Sequence, residues 1–386
     1  MIPYAKQDIN DEDISAVIDV LKSDFLTQGP KTFEFENCLS AYTGAKYSVA
    51  LSSATSALHT ACLALKLSEG DMVWTSPISF VASANCAFYC RAKIDFYDIN
   101  PITGLICLDS FEKKLKKARI INSLPKIIIL VHLAGLPCDM EAIYRLSHQY
   151  GFRIIEDAAH AVGARYLNTK IGDCTFSDIT VFSFHPAKII TSGEGGALLT
   201  NDPSIFEFVK NAASQGLIRN KEIMHEKSKD PWYYEVHSLG YNYRLTDIQC
   251  ALGISQLARI NNFIEKRKII ADQYQQNLDP NKCKPLKRLK DRESSWHLFI
   301  ILVEGERNSR PELIKNLHLN QISTNLHYIP IYRHHYLKKL NLLPDNFQLE
   351  DYLGAEEYYD KALTIPLYAS LENETVSQIC SIINEY

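Results

Sequence analysis

Residues 183–196 read Ser183-Phe184-His185-Pro186-Ala187-Lys188-Ile189-Ile190-Thr191-Ser192-Gly193-Glu194-Gly195-Gly196. Within them, Lys188 follows an apolar segment at 179–182 and precedes a glycine-rich turn, and an acidic pair, Glu156-Asp157, ends another apolar segment upstream. A lysine downstream of a buried carboxylate on a parallel sheet is typical of enzymes that hold pyridoxal 5'-phosphate (PLP). In such enzymes the lysine binds the cofactor covalently and the carboxylate keeps its ring nitrogen protonated. This pattern favours an α/β fold with a cofactor site at its strand ends.

Short apolar segments alternate with helical patterns along the first half of the chain. The apolar segments, which we predict as strands, are 47–51, 72–75, 94–97, 127–131, 153–155, 179–182 and 197–200. Helical patterns occupy 55–67, 80–91, 108–117 and 140–150. Strands that are apolar throughout and are separated by helices indicate a mostly parallel sheet covered on both faces. We therefore predict an α/β fold whose large domain contains this sheet.

The alternation ends near Asp202, and a different pattern follows. We predict a long helical region at 246–278, strands at 297–303, 322–326 and 362–365, and a closing helix from residue 372. This arrangement indicates a smaller α+β C-terminal domain. We expect residues 1–245 to form the N-terminal segment and large domain, and residues 246–386 the connecting helix and small domain.

Composition excludes several classes of protein. The 386 residues include 41 Lys and Arg against 45 Asp and Glu, a net charge of -4, which gives no basic surface for nucleic acid. Ten cysteines occur without a C-x-x-C pair and the histidines form no H-E-x-x-H motif, so we predict no metal site. We find no apolar run of a signal peptide or a membrane span, and we expect a cytoplasmic protein.

Several polar or aromatic residues follow predicted strands, where parallel sheets place their ligands. Thr55 could cap a helix or donate to a phosphate, and a plain N-cap is the alternative. Phe80 could stack on a flat heterocycle or pack in the core. Glu156 and Asp157 must face opposite sides of their strand, so one of the two carboxylates points inward. A buried carboxylate needs a cationic partner, which could be a protonated ring nitrogen or an internal Arg or Lys. Partial burial of Lys188, which follows Ser183, would lower its pKa and make it nucleophilic.

Four motifs resemble one family. They are EDAAHA at 156–161 followed by the 183–196 stretch, SDFLTQGP at 23–30, GYNYR at 240–244 and HYIP at 327–330. Together they resemble the DegT/StrS sugar aminotransferases, which are fold-type I PLP-dependent transferases, and the likeness runs from Pro3 to the last helix. Within the family, the likeness is greatest to members that aminate a UDP-linked 4-keto-6-deoxy sugar on the way to pseudaminic acid.

The resemblance implies a role for each matching residue that would contact the cofactor. Lys188 matches the lysine that binds PLP covalently, and Asp157 matches the partner of the ring nitrogen. His160 matches the residue that hydrogen-bonds the phenolic oxygen of the ring. The stacking aromatic and the phosphate contacts are matched by Phe80, Ala54, Thr55 and Ser183.

Further matches imply a partner and a substrate pocket. Asn242 matches an asparagine that reaches the cofactor phosphate of the neighbouring subunit, which implies a homodimer with shared active sites. The segments that line the nucleotide-sugar pocket in relatives contain Tyr4, Thr27, Gln28, Gly29, His327 and Tyr328.

The implied activity is transfer of an amino group from L-glutamate to the 4-keto carbon of a UDP-4-keto-6-deoxy amino sugar, with neither nucleic acid nor membrane as a partner. A different UDP- or dTDP-linked keto sugar, as in bacillosamine or legionaminic acid pathways, is the alternative. Related sugar dehydratases carry histidine where this chain has Lys188, which disfavours dehydration, and a DNA-binding regulator would need a basic face. One departure from the family is Ala213-Ser214-Gln215-Gly216, where an arginine and a histidine are common.

Overall fold

The computed structural model describes residues 1–220, 222–226, 230–305, 309–344 and 347–386. The helices of these ranges are α1 Asp11–Leu21, α2 Pro30–Thr43, α3 Ala54–Ala64, α4 Ala82–Tyr89, α5 Leu108–Ile120, α6 Met140–Tyr150, α7 Pro203–Ala212, α8 Asp247–Ala258, α9 Ile260–Asn277, α10 Ser309–Leu319, α11 His335–Lys339, α12 Leu353–Lys361 and α13 Asn373–Glu385. The strands are β1 Tyr47–Leu51, β2 Met72–Thr75, β3 Lys93–Phe96, β4 Ile127–Val131, β5 Arg153–Asp157, β6 Arg165–Tyr166, β7 Thr169–Lys170, β8 Ile179–Ser183, β9 Gly196–Thr200, β10 Leu217–Ile218, β11 Glu235–Val236, β12 Cys283–Pro285, β13 Arg292–Glu293, β14 Phe299–Val303 and β15 Ala362–Ile365.

A seven-stranded sheet with the order β1-β9-β8-β5-β4-β2-β3 forms the centre of the molecule. The pairs from β8 to β3 are parallel, whereas β9 runs antiparallel to both of its neighbours. Each of these strands was predicted from its apolar run, and its first and last residues differ from the predicted ones by at most two positions. The predicted α/β fold with a mostly parallel sheet is therefore confirmed.

The two faces of this sheet bury separate apolar clusters. Along β4, Ile127 and Ile129 pack in one cluster, while Ile128 and Leu130 pack in the other, as the alternation of side chains on a strand requires. Helices α3, α4 and α7 cover the first face, and α2, α5 and α6 cover the second. Burial on both faces explains why the strands are apolar throughout.

The C-terminal part contains an antiparallel sheet of β12, β14 and β15. Helices α9 and α13 cover it and share an apolar cluster with it. The helical region predicted over 246–278 is confirmed, and Arg259 divides it into α8 and α9. The guanidinium of Arg259 binds the carboxylates of Asp8 and Asp13. We propose the domain boundary at residues 245/246, since α8 and α9 lead from the large sheet to this smaller one.

The prediction of a strand at 322–326 is wrong, because this segment forms isolated bridges. Ile322 pairs with Ile2, and Asn325 pairs with Thr364, each through an isolated bridge. The segment passes from one partner to the next without two successive paired residues, so no ladder forms. The small sheets β6-β7-β13 and β10-β11 were not predicted, because their strands have two residues each.

Two features are absent from the described ranges. None of their helices combines the length and the apolar character that crossing a membrane requires. Their His, Cys, Asp and Glu side chains form no group of three or more that could hold a metal ion.

Candidate active site

A cavity of about 630 Å³ lies at the carboxyl ends of the central strands, where ligands of such sheets bind. Of the fourteen site residues predicted from the sequence, ten line it: Tyr4, Ala54, Thr55, Phe80, Asp157, His160, Ser183, Lys188, His327 and Tyr328. The large sheet and the C-terminal part both contribute to its walls. Residues distant in sequence therefore meet in one pocket.

The loop after β8 folds back on itself and presents Lys188 to the cavity. Phe184 N donates to Gly195 O at 2.9 Å, Ser192 N donates to Phe184 O at 3.0 Å, and Lys188 N donates to His185 O at 2.8 Å. Burial lowers the pKa of Lys188 to about 8, although the charge of Asp157 opposes this shift. Within the described residues, Lys188 Nζ has no hydrogen bond or ion pair, so an unpartnered amine with a lowered pKa faces the cavity.

The two acidic residues at the end of β5 point to opposite faces of the sheet, as the alternation of side chains along a strand predicts. Glu156 turns away from the cavity and binds His132 Nε2 at 2.8 Å and the hydroxyl of Thr180 at 2.7 Å. Asp157 lines the cavity and accepts hydrogen bonds from Ser83 Oγ at 2.6 Å and from the N–H of Ala159 at 3.2 Å. No Lys or Arg of the described ranges forms an ion pair with it. A buried carboxylate without a cation fits a protonated ring nitrogen.

The N-terminus of α3 forms an anion cradle. Ser53 caps the helix by accepting from Ser56 N at 3.1 Å, and Ser56 Oγ in turn accepts from Ser53 N at 3.1 Å. The N–H groups of Ala54 and Thr55 lie in the first turn, where helices leave donors unpaired. A Cβ at Gly196 would lie 2.5 Å from Ala54 N, so only glycine allows β9 to approach so closely. This cradle fits a phosphate.

His160 is held on both ring nitrogens. Its Nδ1 accepts from the N–H of Ala134 at 3.3 Å, which places the proton on Nε2, 3.0 Å from the hydroxyl of Tyr328. Burial lowers the pKa of His160 well below its usual value, and the charge of Lys188 lowers it further. The ring is therefore neutral and can donate one hydrogen bond.

Two aromatic residues of the cavity differ in burial. Phe80 is 58% exposed, and its ring centroid lies 6.3 Å from that of Tyr328. The sequence predicted that Phe80 opens a helix, but α4 begins at Ala82, so Phe80 lies in the preceding turn. His327 is buried and its Nδ1 lies 2.8 Å from Thr364 Oγ1. An exposed phenyl ring at the cavity edge is available to stack on a flat ligand.

The remaining predicted residues, Thr27, Gln28, Gly29 and Asn242, do not line this cavity. Thr27 pairs with Thr246, and Gly29 N donates to Asp247 Oδ1 at 3.0 Å, so this segment lies against the start of α8. Asn242 is exposed and pairs with Ser214 through a bridge. The structure leaves their predicted substrate and cofactor roles as predictions.

Ala213-Ser214-Gln215-Gly216, which departs from the family, supports this outer segment. Tyr243 N donates to Ala213 O at 3.0 Å, and Gln215 N donates to Tyr241 O at 2.9 Å. A Cβ at Gly216 would lie 2.0 Å from Ser238 O, so the turn requires glycine. The departure thus lies beside Asn242 and outside the cavity.

Three residues that matter to the site were not predicted from the sequence. Ser83 binds Asp157, His297 packs its ring 4.3 Å from that of His160, and Asn325 lines the cavity. In the helix predicted at 80–91, Ser83 lies three residues after Phe80 and so on the same face, and this spacing could have indicated it. His297 and Asn325 carry no local signal.

These residues fit PLP as a group. Lys188 would hold it covalently, Asp157 would face its ring nitrogen, and the α3 cradle with Ser183 would take its phosphate. The fit rests on a cavity-facing amine without a partner, a buried carboxylate without a cation, and free helix-terminal donors. Each of these complements one functional group of the cofactor.

Comparisons with known proteins agree with this geometry. The DegT/DnrJ/EryC1/StrS aminotransferase family matches residues 7–384. A UDP-4-amino-4,6-dideoxy-N-acetyl-beta-L-altrosamine transaminase of Campylobacter jejuni is 36% identical over 96% of this chain and 93% of its own. The structure of Helicobacter pylori PseC, an aminotransferase in the biosynthesis of pseudoaminic acid, has a TM-score of 0.87 and 33% identity, and covers 100% of this chain and 98% of its own.

A further solved structure bears on the cofactor. The PLP form of Spr1654, a putative sugar aminotransferase of Streptococcus pneumoniae, has a TM-score of 0.87 and 28% identity, with 100% of this chain and 98% of its own covered. The α/β fold is thus that of fold-type I sugar aminotransferases. The chain belongs to the DegT/DnrJ/EryC1/StrS aminotransferase family and is a PLP-dependent nucleotide-sugar aminotransferase.

Proposed function

We propose that the protein transfers an amino group from L-glutamate to the 4-keto carbon of a UDP-linked 2-acetamido-2,6-dideoxy-hexos-4-ulose, as a step toward pseudaminic acid and flagellin glycosylation. The observation that carries this proposal is the similarity, over nearly the whole chain, to the C. jejuni transaminase, whose name describes a product of this kind. The pseudaminic acid enzyme PseC of H. pylori supports the same acceptor. The cytoplasmic location stays a prediction.

The residues of the cavity divide the chemistry among them. Bound PLP supplies an electron sink that stabilises negative charge at the carbon next to the transferred nitrogen. Lys188 Nζ would hold the cofactor covalently, and as a free amine it would take the proton from the α-carbon of glutamate. Asp157 would hold a proton on the ring nitrogen, and the neutral His160 would offer its one N–H to the phenolic oxygen.

We expect the substrate contacts on the cavity wall formed by the N-terminal segment and the C-terminal part. We assign Tyr4, His327 and Tyr328 to the sugar, because they line the cavity from the N-terminal segment and the C-terminal part. Leu367 N donates to Tyr4 O at 3.0 Å, which anchors the N-terminal segment beside these residues. The same cavity thus serves donor and acceptor in turn.

We further propose a homodimer in which Asn242 completes the phosphate site of the partner subunit, beside Thr27, Gln28 and Gly29. Asn242 is exposed, lies outside its own cavity, and is fixed by backbone pairing. Apolar side chains nearby in sequence are also exposed, namely Phe25, Leu26, Trp232 and Leu239. A second copy of the chain would bury them.

The acceptor is tested with a panel of keto sugars. The PLP-loaded protein is mixed with L-glutamate and UDP- and dTDP-linked 4-keto-6-deoxy sugars, with and without a 2-acetamido group, and mass spectrometry detects the added amine. We expect amination of the UDP-linked acetamido sugar. Amination of another panel member in its place would assign the protein to that sugar and overturn the proposal.

A further inference from the structure

Asn325 lies on the cavity wall formed by the C-terminal part. Its side chain is exposed and lines the cavity together with Tyr4, His327 and Tyr328. It therefore belongs to the wall that we assign to the sugar, and not to the residues that fit the cofactor.

The backbone of Asn325 is rigidly anchored. Its N–H donates to Thr364 O at 3.1 Å, and Thr364 N donates back to Asn325 O at 2.8 Å. Thr364 is buried within β15 and also binds His327 Nδ1. Two cavity residues therefore share one fixed anchor in the small sheet.

The side-chain amide of Asn325 is oriented as well. Leu326 N–H lies 2.8 Å from Asn325 Oδ1 and can only donate, so the oxygen end of the amide is already used. Within the described residues, Asn325 Nδ2 has no hydrogen-bond partner. A pre-oriented NH2 group with two donors and no internal acceptor therefore remains at the cavity wall.

We propose that Asn325 is a specificity-determining residue for the acceptor sugar, and that its Nδ2 donates to the carbonyl oxygen of a 2-acetamido substituent. This inference rests on the proposed function and adds the residue that reads the substituent. A carbonyl oxygen offers two lone pairs and no competing donor, which complements an amide whose own oxygen is engaged. A 2-hydroxyl group is shorter and does not extend to the same point.

Binding of stable sugar nucleotides tests the inference without turnover. UDP-N-acetylglucosamine and UDP-glucose differ only at the 2-substituent, and titration calorimetry on the PLP-loaded protein measures both dissociation constants. We expect Asn325→Ala to weaken UDP-N-acetylglucosamine by about 5- to 10-fold, the size of one neutral hydrogen bond, and UDP-glucose much less. Asn325→Asp, which keeps the shape but loses the donor, should weaken it further.

Asn320→Ala is the matched control, because Asn320 is exposed, lies outside the cavity and, among the described residues, hydrogen-bonds Asn316 alone. This variant should keep the wild-type ratio of the two dissociation constants. The same ratio is then measured as kcat/KM for the 4-keto acceptors with and without the acetamido group. A general folding defect would reduce the affinity for both nucleotides, and kcat/KM for both acceptors, by the same factor. It would therefore not change either ratio.

Four results would overturn the inference. Equal weakening of both nucleotides by Asn325→Ala would assign the amide to their common part, and a higher KM for glutamate with an unchanged ratio would assign it to the donor. A wild type that aminates neither UDP-linked acceptor would show that the proposed function is wrong, and the inference would fall with it. A wild type that aminates the acetamido sugar, with no change of ratio in the variant, would contradict the inference alone.

Discussion

Ser83 Oγ donates a 2.6 Å hydrogen bond to Asp157 Oδ2, and both side chains are buried. Ser79 Oγ lies 2.7 Å from Ser83 Oγ, and the N–H of Ala159 donates to the other oxygen of Asp157. Both carboxylate oxygens are therefore held by neutral donors, and their orientation is set by α4 before any ligand binds. Preorganised contacts of this kind hold a charged group at the cost of little reorganisation.

Removing this contact should weaken the cofactor site. We expect Ser83→Ala to raise the dissociation constant of PLP about 10-fold or more, since a hydrogen bond to a charged group contributes ~1.5–3 kcal/mol. Absorbance titration of the apoprotein with PLP measures it. Ser177→Ala is the control, because Ser177 binds Glu156 at 2.5 Å on the side away from the cavity. An equal loss of affinity in both variants would contradict the assignment.

The pKa of Lys188 predicts the pH dependence of cofactor attachment. Burial lowers this pKa to about 8, so the neutral, nucleophilic amine forms as pH rises through 8 and not through the usual value of 10.5. At saturating PLP, the rate of attachment, measured by borohydride trapping and mass spectrometry, should rise with a midpoint near pH 8. Because the charge of Asp157 raises the pKa of Lys188, Asp157→Asn should shift the midpoint to lower pH. A midpoint above pH 10 in the wild type would refute this account.

Subunit mixing tests the shared site. Lys188→Ala should abolish turnover, and Asn242→Ala should weaken PLP binding without removing the lysine. A mixed dimer of the two variants contains one site with both changes and one site with neither. We therefore expect activity to reappear on mixing, measured at a PLP concentration that leaves the Asn242→Ala dimer unloaded. Inactive mixtures of proven heterodimers would show that each site is built from one chain.

The first residue of β9, Gly196, should not tolerate a side chain. Its added Cβ would lie 2.5 Å from Ala54 N, so Gly196→Ala must displace the start of α3. We expect a loss of unfolding free energy of ~1–3 kcal/mol, typical of overpacking, and weaker PLP binding. Gly193→Ala is the control within the same loop: its Cβ meets nothing within 4 Å, although its φ of +82° adds strain. Thermal unfolding with and without PLP separates the two effects, and equal PLP affinities in both variants would disprove the cradle.

The raised pKa of Glu36 predicts that the free energy of unfolding depends on pH. Burial raises its pKa to about 7, partly offset by the N–H of Ala50. Because the folded pKa lies above the ordinary 4.5, the stabilising protonated form is present at pH 4.5 and below and is lost as pH rises through 7. Glu36→Gln should therefore gain stability over wild type at pH 8 and gain little at pH 5, as measured by urea unfolding. Glu34→Gln, an exposed change on the same helix, should show no such pH dependence.

Local patterns were sufficient for most elements of the fold. The central strands were predicted because burial on both faces makes each of them apolar throughout. Errors fell where the pattern is weak, because strands of two residues carry no period. The segment at 322–326 is apolar in part, but its neighbours Ile2 and Thr364 decide that it does not form a ladder.

The sequence by itself determined the order of the strands and helices and the residues at the strand ends, Lys188 and Asp157 among them, because alternation and spacing are properties of neighbouring residues. Alternation left open which of Glu156 and Asp157 faces the cavity; the resemblance implied Asp157, and the tertiary structure gives the reason, since His132 binds the Glu156 carboxylate. Only the tertiary structure decided that Ser83, His297 and Asn325 belong to the site. Their contribution depends on which distant segments pack together, and no local period records that.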